Sequence, residues 1–194
     1  MKKLFTVILI MLSFAQVYSQ SKEKPRFSMI PSFSVHGVYT RNLSDFKQVF
    51  PNSAGGYVTY SMYFPTKFSL DIRTGYLQQS TTDSTTGFSQ SIIPIHIGGR
   101  YYFTDFTKGA KITPYVSFMN GMNLIFEEVE QNNVIDTSSG FKGRYAFQVG
   151  TGVKFFASKN WFFDVNANYN NSFYQTEAML TGFEYNLGVG YRFR

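Results

Sequence analysis

The chain has 194 residues, a formal net charge of +6 and no cysteine. The lack of cysteine excludes disulfides, thiolate metal sites and cysteine nucleophiles, and a charge excess that includes Lys2 and Lys3 at the extreme N-terminus is too small to argue for nucleic acid. Aromatic residues make up 19% of the chain, with 22 Phe and 14 Tyr, yet the mean hydropathy is slightly negative, as suits strands that carry one apolar and one polar face.

Lys2 and Lys3 precede an apolar run over 4–12, and Val17-Tyr18-Ser19 stands ahead of Gln20. This order predicts a cleaved signal peptide over 1–19. The run is too short for a membrane helix, which needs about 20 residues. Residues 20–194 then form one domain, with no linker to divide it.

The rest of the chain reads as eight strands. The first, 27–39, sets Phe27, Met29, Phe33, Val35 and Tyr39 against Ser28, Ser32, Ser34 and His36. The second, 56–64, turns through Pro65-Thr66-Lys67 into the third, 68–78, where Phe68, Leu70, Ile72 and Tyr76 oppose Ser69, Asp71, Arg73 and Gly75. Two strands joined so tightly predict a hairpin. In the fourth, 92–103, Ile93, Ile95, Ile97, Gly99, Tyr101 and Phe103 alternate with Pro94, His96, Gly98, Arg100 and Tyr102. The remaining strands are expected at 112–126, 143–156, 161–170 and 180–193, the last alternating in strict period two from Phe183 to Phe193.

Connections fall into two classes. Those at 40–55, 79–90, 127–142 and 171–179 are long and polar, whereas those at 65–67, 104–111 and 157–160 are shorter, the alternation found where long loops face the exterior and short turns the periplasm. Proline cannot donate to a ladder. Pro94 and Pro114 are read near strand starts, and Pro31, inside the first strand, is expected to need a bulge.

Period two alone fits a lipocalin-like barrel with its apolar face inward equally well. The apolar faces carry far more bulky side chains than the roughly 12 that fill a small barrel, so they are assigned to lipid. Glycines among the polar residues, Gly75, Gly98, Gly150, Gly152, Gly188 and Gly190, suit a narrow lumen. Phe64, Phe68, Tyr101, Phe103, Phe155, Trp161, Phe163, Tyr191 and Phe193 cluster near the short turns as one aromatic girdle, with Tyr39, Tyr76, Phe126, Tyr145, Tyr169 and Phe183 as its outer counterpart.

The segment Ile92-Ile93-Pro94-Ile95-His96-Ile97-Gly98-Gly99-Arg100-Tyr101-Tyr102-Phe103, followed by Thr113-Pro114-Tyr115-Val116, resembles the outer membrane protein β-barrel domain family, related in architecture to the OmpA and OmpX barrels of Gram-negative bacteria. The terminal Gly190-Tyr191-Arg192-Phe193 is similar to that family's assembly signal, although Arg194 follows where the aromatic ordinarily ends the chain. The resemblance covers nearly all of the mature chain. It implies residence in the outer membrane after export, with outer-membrane lipids and the barrel assembly machinery as partners.

By strand parity the lumen holds Asp71, Arg73, Arg100, Arg144, Lys154, Asp164, Glu184 and Arg192, with Lys154 and Asp164 predicted to pair across their hairpin. Such charges fill a narrow interior only if they are partnered. His36 and His96 also project inward, and no motif joins either to Ser32 or Ser34 in a catalytic set. Gly150-Thr151-Gly152 lies mid-strand with no following helix, so it is not a phosphate loop. The carboxylates Glu127, Glu128, Glu130 and Asp136 lack the spacing of an EF-hand and read as a solvated acidic tip. No cofactor, metal or catalytic residue is indicated.

The resulting expectation is a monomeric, all-β, eight-stranded antiparallel up-and-down transmembrane barrel. Its role would be structural or surface-binding, in adhesion or recognition of an extracellular ligand or envelope protein through its loops, with no open pore. The alternatives are a soluble secreted lipocalin-like barrel binding a small hydrophobic ligand, and a lipid A-modifying barrel enzyme.

Overall fold

The computed structural model describes residues 29–43, 45–48, 51–80, 87–105, 109–131, 134–136, 142–174 and 178–193. The signal region 1–19 and the first strand's Phe27 and Ser28 lie outside them. The strands are β1 (Ile30–Asn42), β2 (Asn52–Phe64), β3 (Phe68–Ser80), β4 (Gly87–Tyr102), β5 (Ile112–Gln131), β6 (Val134–Asp136), β7 (Lys142–Phe156), β8 (Trp161–Tyr174) and β9 (Ala178–Arg192). Eight of them close an antiparallel barrel, each pairing with its neighbours and β1 with β9. The short β6 pairs only with the outer end of β5, Val129 to Asp136 and Gln131 to Val134.

No helix among the described residues is long and apolar enough to cross a membrane. The strands carry that task, because in lipid a closed sheet satisfies every backbone donor and acceptor internally. The outer face is apolar and exposed: Phe33, Val35, Ile72, Ile95, Ile97, Phe118, Val149, Val165, Leu187 and Val189 all point away from the barrel. Asp71, Arg73, Arg100, Lys154, Asp164 and Glu184 are buried inside. This is the reverse of a lipocalin-like barrel, and the soluble alternative fails on it.

Both aromatic girdles face outward, with Tyr191 and Phe64 half-buried against their neighbours. Trp161, Tyr191 and Phe193 stack edge to face at 5.2 Å centroid spacings on the turn side, and Tyr169 meets Phe183 at 6.0 Å on the other.

Three corrections follow from the register. The strands are longer than their hydropathy pattern: β3 runs to Ser80, β4 starts at Gly87, and within the expected 171–179 loop residues 171–174 and 178–179 are strand. Ladder hydrogen bonds need no apolar side chain, so strands continue after both faces become polar and the period-two hydropathy signal disappears. Pro31 needs no bulge. It is the second residue of β1, with continuous pairing to β2, and its carbonyl accepts the Phe193 N–H at 2.9 Å. Pro94 is eight residues into β4 rather than near its start. The β3–β4 ladder is interrupted beside it, between the Thr74–Ile95 and Leu77–Ile92 pairs, and resumes without a change of register.

The turn 65–67 is a three-residue hairpin loop whose last residue, Lys67, has φ 63°, the left-handed position such loops require before the strands resume at the Phe64–Phe68 pair.

Val189 faces lipid on β9, paired with Val35 and Phe163. Val189→Arg is expected to destabilise the barrel, by roughly 2–4 kcal/mol if the site lies near the bilayer midplane and by less toward the girdle. Urea titration of folding into phospholipid vesicles measures this; a change within error would mean that position 189 does not meet hydrocarbon.

Candidate functional site

Period-two geometry sends every second side chain into a narrow lumen, where polar groups have no water to spare and must find one another. Most of the charged ones do so in two layers, with an apolar cluster beyond.

The layer nearest the short turns is centred on Asp164 of β8. Arg100 from β4 reaches it at 2.8 Å through Nη1, and Arg100 Nε lies 2.6 Å from Asp71 of β3 as an ion-pair contact. Tyr115 of β5 donates to the other Asp164 oxygen at 2.6 Å. Lys154, opposite Asp164 in the β7–β8 ladder, brings Nζ to 3.8 Å from its carboxylate. The Lys154 ammonium also donates to the Tyr63 hydroxyl. It sits 4.4 Å from the Phe162 ring centre, 4.9 Å from that of Tyr63 and 5.7 Å from that of Tyr102. A desolvated cation surrounded by ring faces gains cation–π stabilisation that water would otherwise weaken. Ser69 completes the layer by donating to Asp71 at 2.9 Å.

The middle layer is built on Glu184 of β9. Tyr57 of β2 donates to it at 2.6 Å, Gln148 of β7 at 2.9 Å, Asn186 at 2.8 Å and Asn168 at 3.1 Å. Arg73 of β3 stands 3.5 Å from the same carboxylate, donates to Gln148 at 3.0 Å and lies over the Tyr57 ring. His36 packs against β9 because that strand has glycine opposite it: a Cβ on Gly188 would meet the His36 ring, just as one on Gly190 would meet Phe162.

Beyond them lies an apolar cluster. Val38, Leu77, Ile92 and Ile125 pack with Tyr57 beside the buried Thr40, Asn42, Ser53 and Gln79, although the sequence pattern assigned apolar residues to the lipid face.

Six of the eight charges read into the lumen therefore fall into two groups, Asp71–Arg100–Asp164–Lys154 and Arg73–Glu184, each with equal numbers of cations and anions. Arg192 does not join them. It lies at the turn-side mouth, bonded to the Lys159 carbonyl with Nε at 3.1 Å and resting on the Phe156 ring. Arg144 is half-buried on the outer part of β7, opposite Asn123 in the ladder.

The pairing scheme left out the tyrosines. Tyr57, Tyr63 and Tyr115 are buried in the lumen beside Tyr102, and their hydroxyls address the charged groups. The signal for them is parity with small polar neighbours: Thr59 and Ser61 share the Tyr57 and Tyr63 face, and all four are buried.

His36 Nε2 is 2.9 Å from Ser34 Oγ and His96 Nε2 is 3.0 Å from Asn123 Oδ1. Neither Nδ1 has a hydrogen-bond partner, so no carboxylate orients either ring as a catalytic triad demands. Among the described residues, no three His, Asp or Glu side chains converge as a metal site. The side chains of the acidic tip lie outside the described residues.

The family described as "Outer membrane protein beta-barrel domain" matches residues 5–193. No curated protein matches the chain. Among solved structures, Ail, the attachment invasion locus protein of Yersinia pestis, is 15% identical with a TM-score of 0.60, over 85% of this chain and 99% of that one. A second structure of Ail, in complex with the heparin analogue sucrose octasulfate, gives 14% and 0.59, over 85% and 99%. The outer membrane protein OprG of Pseudomonas aeruginosa is 14% identical with a TM-score of 0.58, covering 85% and 96%. At such identities the likeness is one of fold.

Asp164→Asn removes the anion shared by Arg100 and Lys154 and leaves two buried cations with only Asp71 between them. A loss of about 3–5 kcal/mol is expected, against roughly 1.5–3 kcal/mol for Tyr115→Phe, which deletes one donor to the same carboxylate. Equilibrium unfolding of both variants in vesicles tests this order, which would be reversed if Asp164 were not the hub.

Proposed function

The chain belongs to the outer membrane protein β-barrel domain family, and on that premise we propose that it is a structural and surface-binding element that recognises an extracellular ligand through its outer hairpins and conducts no ions through its lumen. Its site of residence, the outer membrane of a Gram-negative bacterium, comes with the family and with the fold it shares.

The observation that carries the no-pore reading is the lumen filling. Two charge-balanced groups, four tyrosines packed among them and an apolar cluster fill the lumen, and a barrel of eight strands has an interior about wide enough for its own side chains. A conducting path would have to break several of these contacts at once. The same filling argues against chemistry in the lumen, since His36 and His96 are enclosed there.

Surface binding is favoured by the strands themselves. A tilted transmembrane strand needs about 9–11 residues, yet β4 has 16 and β5 has 20, with β6 folded back on the outer end of β5. This excess supports a rigid extension outside the bilayer, on which loops hold a fixed shape for recognition. The structure of Ail with a heparin analogue makes a sulfated polysaccharide a reasonable first probe.

In planar bilayers the purified barrel is expected to give no stable step-like conductance; reproducible unitary steps would overturn the closed-lumen reading. Cells displaying the protein are expected to be retained on heparin-coated surfaces above non-expressing cells. Equal retention would remove sulfated polysaccharide as the ligand class and favour the structural role.

A further inference from the structure

We propose that the turn-side rim of the barrel is a binding surface for anionic phospholipid headgroups of the inner leaflet, with Lys67, Lys111 and Lys159 as the phosphate-contacting residues. Each short connection places one of these lysines at a strand end. Lys67 closes the 65–67 turn, Lys111 precedes β5 and Lys159 lies in the 157–160 turn. The turns join β2 to β3, β4 to β5 and β7 to β8, and the barrel order β1-β2-β3-β4-β5-β7-β8-β9 sets them in three different quadrants of the rim. The fourth quadrant holds the chain ends.

The lysine backbones are fixed. The Lys67 carbonyl accepts the Tyr102 N–H at 2.8 Å, that of Lys111 accepts the Phe156 N–H at 2.8 Å, and that of Lys159 accepts Arg192 Nε at 3.1 Å. Lys111 and Lys159 are exposed, and Lys67 is partly so, donating to the Phe103 carbonyl at 3.3 Å on the surface. The depth of these groups follows from their neighbours. Phe68 and Phe103 lie beside Lys67, Ile112 beside Lys111 and Trp161 beside Lys159, all exposed on the lipid face. An ammonium one or two residues beyond the last lipid-facing aromatic or aliphatic side chain stands at the headgroup level, where the available anion is the phospholipid phosphate.

Charge complementarity selects which phospholipid. Asp105 is the one carboxylate on this rim among the described residues, while Asp71 and Asp164, the nearest others, are enclosed and paired. Among the described residues the rim is therefore net positive, and a lysine near a membrane surface favours anionic lipid by about fivefold. Because the three lysines occupy separate quadrants, each holds its own lipid and the preferences do not multiply at a single site.

The test uses the full barrel folded in vesicles of mixed phosphatidylcholine and phosphatidylglycerol, with the relative association constants of the two lipids read by spin-labelled lipid. Phosphatidylglycerol is expected to be favoured severalfold at low salt and the preference to fall as salt rises. K67N/K111Q/K159Q, in which asparagine suits the left-handed backbone at 67, should bring the ratio to near parity while boiled and unboiled samples still differ in gel mobility. R41Q/K47Q, which removes exposed charge from the opposite end, should leave the ratio unchanged. Parity in the wild-type protein, a preference undiminished in the triple variant, or an equal loss in R41Q/K47Q would each overturn the proposal. If the triple variant does not fold, the single variants K111Q and K159Q carry the same comparison, each expected to remove part of the preference.

Discussion

Closure of the sheet is the constraint on which everything else depends. Hydrocarbon offers no partner to an unpaired N–H or C=O, so a strand edge in the bilayer costs several kcal/mol per group. The β1–β9 ladder, running from Ser32–Arg192 to Asn42–Gly182, removes the last edge. Once the sheet is closed at eight strands its circumference is fixed, and with it the width of the lumen. A space that narrow excludes bulk water, which is why the inward residues must partner one another.

The lumen meets that demand with a division of labour. Carboxylates act as hubs, each approached from several strands: Asp164 by groups on β4, β5 and β7, and Glu184 by groups on β2, β3, β7 and β8. Tyrosines supply bulk and a hydroxyl together, so one side chain fills volume and donates to a hub. Glycine supplies room where a ring on the adjacent strand would otherwise collide, as at Gly188 and Gly190. Replacing such a set by aliphatic residues would satisfy packing but not tie distant strands together at fixed points.

Much of this was legible in the sequence, because a membrane barrel imposes its two environments residue by residue. Alternation in 183–193 and 92–103 identified strands, and parity placed Asp71, Arg100 and Glu184 inside. The pattern failed where its physical cause was absent. At the ends of β3, β4 and β8 polar residues stand on both faces, the inward Gln79, Gln90 and Ser172 buried as well, so these ends carry no apolar alternation and read as loop. Val38, Leu77, Ile92 and Ile125 are apolar on the lumen face, and hydropathy alone cannot distinguish that layer from a lipid-facing residue. The cross-lumen partnerships were also out of reach, since parity gives the side of a residue but not its height, and it is height that separates Arg144 and Arg192 from the other six charges.

The distribution of those six charges along the chain has a consequence for how the barrel comes together. Asp71, Arg73 and Arg100 lie on β3 and β4, in the N-terminal half, which thus carries one surplus positive charge; Lys154, Asp164 and Glu184 lie on β7, β8 and β9, in the C-terminal half, with one surplus negative. Each half is left electrically incomplete and finds its complement across the lumen, through contacts such as Arg100–Asp164 and Arg73–Glu184. Two N-terminal halves from different copies would confront cation with cation in a dry interior. During assembly an N-terminal half is thus favoured to close with a C-terminal half rather than with a second N-terminal half, and barrels built from two like halves are penalised before any loop or ligand takes part.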